Sequence, residues 1–123
     1  MFLILQKMND CIFCKIAKGE VNSEKIKETN NFFAIHDINP IANGHTLVIP
    51  KRHFTTILDI PNTLAEEMIK LIKDISDELI TNKKADGFNI ISNNLKPAGQ
   101  IVPHLHIHII PRKEGDKIKF LTK

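Results

Sequence analysis

The chain has 123 residues, 42% of them apolar and 25% charged, which suits one domain with its own core and no disulfide framework. A formal charge of +3, from 17 basic and 14 acidic residues with no basic run of four, argues against nucleic-acid binding by charge and leaves room for a small anionic ligand. No window reads as a membrane span, and Met1–Leu5 lacks the basic start, long apolar core and cleavage site of a signal peptide, so the expected setting is cytoplasmic.

Residues 1–7 read as an N-terminal extension of uncertain role before a single domain over residues 8–123. Either Met8 serves as an alternative start, or Phe2 to Leu5 pack as an edge strand. A short helix is expected over residues 11–18, stopped by Gly19. Residues 24–28 and 31–37 form a hairpin about Thr29-Asn30. Pro40 and Asn43-Gly44 punctuate the next loop, and His45–Ile49 is a strand ended by Pro50. One long helix spans residues 62–83, preceded by Pro61 and capped by Asn62 or Thr63. Its Leu64, Met68, Leu71, Ile72, Ile75 and Leu79 recur at helical spacing as a buried stripe, with Glu66, Lys70, Lys73 and Asp77 opposite. Strands follow over 87–92 and 104–110, separated by a loop through Pro97 and Gly99, and Pro111 closes the last. The fold class is α+β: an antiparallel sheet of about five strands with one long helix and one short N-terminal helix.

Alternation along the last strand puts His104, His106 and His108 on one face, about 7 Å apart. Leu105, Ile107 and Ile109 fall on the other face, beneath the long helix. Neutral imidazole is a nucleophile at physiological pH, and protonated imidazole donates hydrogen bonds to phosphate. The middle histidine can attack while its neighbours hold charge. Upstream, Asn93 through Gln100 offers amide donors, and Gly99 permits close backbone approach, as an anion site needs. Cys11 and Cys14 close almost no loop, so they read as a metal or redox motif in a reducing compartment. His53 and His104 are candidate partners, and two thiolates with two imidazoles suit a closed tetrahedral zinc site. No βαβ pattern of the thioredoxin kind follows the pair.

Ala98 to Arg112, with its His-apolar-His-apolar-His core, resembles the signature of the histidine triad (HIT) family, in its nucleotide-binding, bacterial-type branch. The resemblance extends to Asp10–Ile16, Ile35–Pro40 and Gly44–Pro50. It implies a homodimer sharing a continuous sheet and a purine nucleotide ligand such as AMP or GMP. It also implies hydrolysis of nucleoside phosphoramidates or dinucleoside polyphosphates through a nucleotidyl-histidine intermediate. No catalytic metal, nucleic acid or membrane is implied. Position by position, His106 matches the nucleophile, and His108 and His45 match the groups that support phosphate and leaving group. Asn93, Gly99 and Gln100 match the phosphate loop, with Gln100 among the catalytic set. Asp37 matches the ribose carboxylate and His36 a residue near the sugar. Ile12, Phe13, Ile16, Ile35, Ile38 and Leu47 match an apolar base pocket, and Cys11, Cys14, His53 and His104 match a structural zinc set found in some members. Ile101 departs from the pattern, standing where several members carry a hydroxyl. Two other functions compete: a nucleotide-binding interaction module with little catalysis, and a hydrolase whose histidine strand holds a catalytic zinc.

Overall fold

The computed structural model describes residues 10–119; the extension and edge-strand readings of residues 1–7 fall outside them. The described chain forms helix α1 (Ile12–Ala17), then strands β1 (Lys27–Glu28), β2 (Phe32–His36) and β3 (Thr46–Pro50). Helix α2 (Ala65–Thr81) follows, then β4 (Gly87–Ile91) and β5 (Ile107–Arg112), with 3-10 turns at Ile57–Asp59, Asn62–Leu64 and Lys96–Ala98. The strands pair antiparallel in the order β1-β2-β3-β5-β4. The α+β expectation, with one long and one short helix, therefore holds.

Every residue of β3 is buried, because both faces of the sheet are covered. On one face α2 lays down Met68, Leu71, Ile72, Ile75 and Leu79 against Phe32, Ala34, Val48, Leu105, Ile107 and Ile109. On the other, α1 packs Phe13, Cys14 and Ile16 against Phe33, Ile35, Leu47 and Ile49. Adjacent residues of one strand thus serve two cores, as the pleat requires. Glu67 on α2 pins the β1–β2 turn, accepting from the Asn31 amide at 2.7 Å and its side chain at 2.9 Å.

Three expectations about the elements need correction. The long helix begins as a separate 3-10 turn after Pro61 and becomes α-helical at Ala65; neither Asn62 nor Thr63 caps it with a side chain. It stops at Thr81, and Lys83 follows at φ 58°. The last strand begins at Ile107, not His104. Upstream, His104 N–H bonds the Val102 carbonyl at 2.8 Å and Leu105 N–H the Phe54 carbonyl at 2.6 Å, so these backbone groups serve a loop in place of a ladder. Pro111 does not close β5 but lies inside it. The β3 ladder has already ended at Ile109, so the missing proline N–H can fall on the unpaired side.

Candidate functional site

His106 is 9% exposed and lies beneath Phe13 of α1, ring centroids 5.1 Å apart. Its Nδ1 stands 2.7 Å from the His104 carbonyl. A carbonyl only accepts, so Nδ1 carries the proton and Nε2 keeps its lone pair. The local turn that breaks the strand before Ile107 thereby fixes which nitrogen can act as nucleophile.

A second chain of bonds orients His45 and His108. His45 Nδ1 accepts the Ile41 N–H at 3.1 Å, which puts its proton on Nε2. That Nε2 lies 2.9 Å from His108 Nδ1 and 3.5 Å from Asp37 Oδ2. Since His108 Nδ1 accepts, its proton sits on Nε2, and the ring is 5.0 Å from that of His106. Burial holds His45 below the ordinary imidazole range, with Asp37 pulling upward. Burial, with His106 and His45 alongside, holds His108 down at about 4. Both are therefore neutral at neutral pH. The two rings therefore face the site with oriented N–H dipoles. Asp37, His45 and His108 bring three ligand-type atoms within 4.8 Å of one another. The Ile41 bond nevertheless keeps a proton on the His45 atom that would have to bind a metal.

His104 faces elsewhere. Its Nε2–H donates to the Pro50 carbonyl at 2.8 Å, leaving the Nδ1 lone pair 3.2 Å from Cys11 Sγ and 3.5 Å from Cys14 Sγ. His53 Nδ1 lies 3.2 Å from both Cys14 Sγ and His104 Nδ1. The four atoms lie within 4.8 Å of one another. Four of the six edges of this cluster are 3.2–3.5 Å, and a tetrahedron of that edge has centre-to-corner distances of about 2.0–2.1 Å, close to zinc–ligand bond lengths. Burial, with Cys11 beside it, pushes the Cys14 thiol up to about 12, so a thiolate here needs a cation. The donor set therefore fits tetrahedral zinc with no position left open. The three histidines of the motif do not converge on one point: His104 turns to the cysteines, while the rings of His106 and His108 lie 5.0 Å apart.

Of the expected phosphate-loop residues, Gly99 and Gln100 are bonded within their own turn. Gln100 is a brace: its Oε1 accepts the Leu95 N–H at 2.7 Å and its Nε2 donates to the Thr55 carbonyl at 2.7 Å. Leu95 is thereby held at φ 73°, strained for a residue with a Cβ. The Gly99 and Gln100 N–H groups bond the Lys96 and Leu95 carbonyls inside the same turn, with Gly99 at φ 93°. These backbone donors are spent. Asn93 is half-buried at the end of β4. Its neighbour Asn94 ties the loop to the Ile57 amide at 2.8 Å. Ile101, the departure from the family pattern, is 91% exposed.

Of the apolar set, Phe13, Ile16, Ile35 and Leu47 are buried in the α1-side core, whereas Ile12 is partly exposed and Ile38 is 91% exposed. His36 does not join the histidine cluster through its side chain; it lines a cavity on the α2 side of the sheet. Sequence reasoning missed the backbone partners that set each tautomer: the His104 and Pro50 carbonyls and the Ile41 N–H. No residue type signals them.

Comparison with known proteins agrees with this geometry. The HIT domain family profile matches residues 18–115. An adenylylsulfatase from Arabidopsis thaliana is 43% identical over 108 residues, covering 88% of this chain and 55% of the relative, so the chain spans just over half of that protein. An adenosine 5'-monophosphoramidase from Candida albicans is 38% identical over 108 residues, covering 85% of this chain and 71% of its own length. The crystal structure of a zinc-bound histidine triad family protein from Mycobacterium smegmatis superposes with a TM-score of 0.85 at 38% identity, covering 94% of this chain and 84% of that one. The chain belongs to the histidine triad family.

Proposed function

We propose that this protein hydrolyses purine nucleoside 5'-phosphoramidates or related α-phosphate derivatives, releasing the nucleoside monophosphate through a nucleotidyl-His106 intermediate. The observation that carries this reading is the fixed tautomer of His106. A buried imidazole whose Nδ1–H is committed at 2.7 Å to the His104 carbonyl presents an unprotonated Nε2.

The residues divide the work as follows. His106 Nε2 attacks phosphorus, forming a P–N bond, and the bond to the leaving amine or phosphate breaks on the far side. Phosphoryl transfer needs mainly positioning and charge stabilisation. His108 Nε2–H, oriented by the His45 bond to its Nδ1, donates to a phosphoryl oxygen. The leaving group takes its proton from water. Water then attacks the same phosphorus, the P–N bond to His106 breaks, and the proton lost by that water passes to solvent. Asp37 Oδ2 accepts from the ribose, while its Oδ1 already holds the Asn39 N–H at 3.0 Å. Asn93 supplies side-chain donors.

Cys11, Cys14, His53 and His104 would hold a zinc ion whose contribution is structural: it ties α1 to the segment that carries His106. Two copies of the chain would pair along the β4 edge, where Phe88 and Ile90 are exposed.

The test is mass spectrometry of protein quenched during turnover of adenosine 5'-phosphoramidate. An AMP-sized adduct should map to His106. The His106→Ala variant should show no turnover yet retain AMP binding. An adduct on another residue, or near-native activity in that variant, removes the proposal.

A further inference from the structure

His36 and His45 lie at opposite ends of one turn but serve opposite faces of the sheet. Asp37, Ile41 and His45 build the histidine site. His36, Asn43 and Gly44 border a cavity of about 490 Å³ on the α2 side, well within the size range of small-molecule sites.

The lining is cationic over an apolar floor. Lys84, just past α2, and Lys113, just past β5, both line the cavity. Lys84 has no ion pair among the described residues. Lys113 Nζ gives one hydrogen bond to the Lys83 carbonyl at 3.1 Å and keeps two donors. Asp116 also borders the space, but its carboxylate is committed elsewhere. It accepts from Arg112 Nε and an Arg112 terminal nitrogen, each at 2.8 Å, and from the amides of Lys113 and Ile118. Those bonds hold its carboxyl well below the usual carboxylate range. The acid therefore builds the wall and does not neutralise the lysines. The floor is Leu79 and Pro111. Gly44, at φ 94°, leaves it open, since a Cβ there would stand 3.4 Å from Pro111 Cγ.

We infer that this cavity is a second binding site, for a small organic phosphate whose dianionic head lies between Lys84 and Lys113 and whose apolar body rests on Leu79 and Pro111. Two ammonium groups without carboxylate partners match a doubly charged head. The Asn43 amide and the His36 ring add hydrogen-bonding groups, and the apolar floor favours an organic phosphate over the inorganic ion. The site is separate from the histidine centre: the pleat that sends Ile35 and Asp37 to one face sends Ala34 and His36 to the other.

The experiment is a titration of the full ¹⁵N-labelled chain with phenyl phosphate, and separately with inorganic phosphate, followed by amide chemical shifts. Phenyl phosphate should produce saturable shifts at Asn43, Gly44, Lys84 and Lys113, at lower concentration than inorganic phosphate. In Lys84→Glu/Lys113→Glu, affinity read at Asn43 and Gly44 should fall at least ten-fold, while shifts around His106 titrate as before. Should that charge reversal unfold the chain, Lys84→Gln/Lys113→Gln gives the same comparison. Absence of saturable shifts at the cavity amides, unchanged affinity in the double variant, or equal affinity for the two phosphates would overturn the assignment.

Discussion

Replacing Cys14 by serine tests how far the metal cluster reaches. Cys14 is 3% exposed and touches both imidazoles of the set, His53 at 3.2 Å and His104 at 3.5 Å. Removing one partner from a buried charged cluster costs about 3–5 kcal/mol. At about 4 °C per kcal/mol for a domain of this size, the melting temperature should fall by roughly 12–20 °C. A closed four-ligand zinc site is structural, so its loss should lower stability more than activity. The geometry extends the damage to the chemistry. His104 offers Nδ1 to the cluster, while its carbonyl holds His106 Nδ1 at 2.7 Å, and Phe13, between the two cysteines, packs on both rings. Loss of such an orienting contact costs on the order of 10–100-fold in activity. Purified wild-type protein should carry one zinc per chain by elemental analysis. Cys14→Ser should lose it, melt lower, and show at least a ten-fold lower kcat per folded molecule at 25 °C. The ¹⁵N spectrum of His106 should also lose its single Nδ1–H tautomer. A Cys14→Ser protein that keeps its zinc and melting temperature would refute the cluster. A metal-free protein with native kcat and an unchanged His106 spectrum would refute the coupling.

Other consequences can be measured separately. His45 and His108 bind protons less readily folded than unfolded, so their contribution to stability is complete above about pH 6.5 and declines as the pH falls from there toward 4; urea unfolding at pH 7.5 and pH 5 should show a gap that narrows in His108→Gln, and an unchanged gap would show that His108 is not the group titrating. Gln100→Ala removes both braces of the 95–100 turn and should cost about 1–3 kcal/mol and raise KM; a native KM and melting temperature would mean that the turn is held by other bonds. Phe88→Glu/Ile90→Glu should give a monomer by light scattering where the wild type gives a dimer, and an unchanged mass would move the interface away from β4.

The sequence made legible whatever depends on side-chain type and period. The stripe from Met68 to Leu79, the alternation of Leu105, Ile107 and Ile109, and the sheet class all follow from which residues must leave water. The Cys11, Cys14, His53, His104 grouping was legible from the Cys-x-x-Cys spacing together with the family resemblance, and the four ligand atoms lie within 4.8 Å of one another. What stayed hidden depends on backbone direction. Residues 104–106 have strand-like spacing, yet Phe54 and Val102 take their amides and the Pro50 carbonyl takes the His104 ring, so the strand starts late. The same irregularity explains why three similar histidines do three different things. His104 is turned toward sulfur by the Pro50 carbonyl, His106 has its Nδ1 held by the His104 carbonyl, and His108 is paired with His45, whose other nitrogen takes the Ile41 N–H. Gln100 has a structural duty that its residue type does not signal: a loop that holds Leu95 at positive φ uses both ends of that amide. His36 and Asp37 show the sharpest limit. Adjacent in sequence and both polar, they part at the end of β2: His36, its last residue, borders the cavity with the lysines, while Asp37, just past it, lies 3.5 Å from His45.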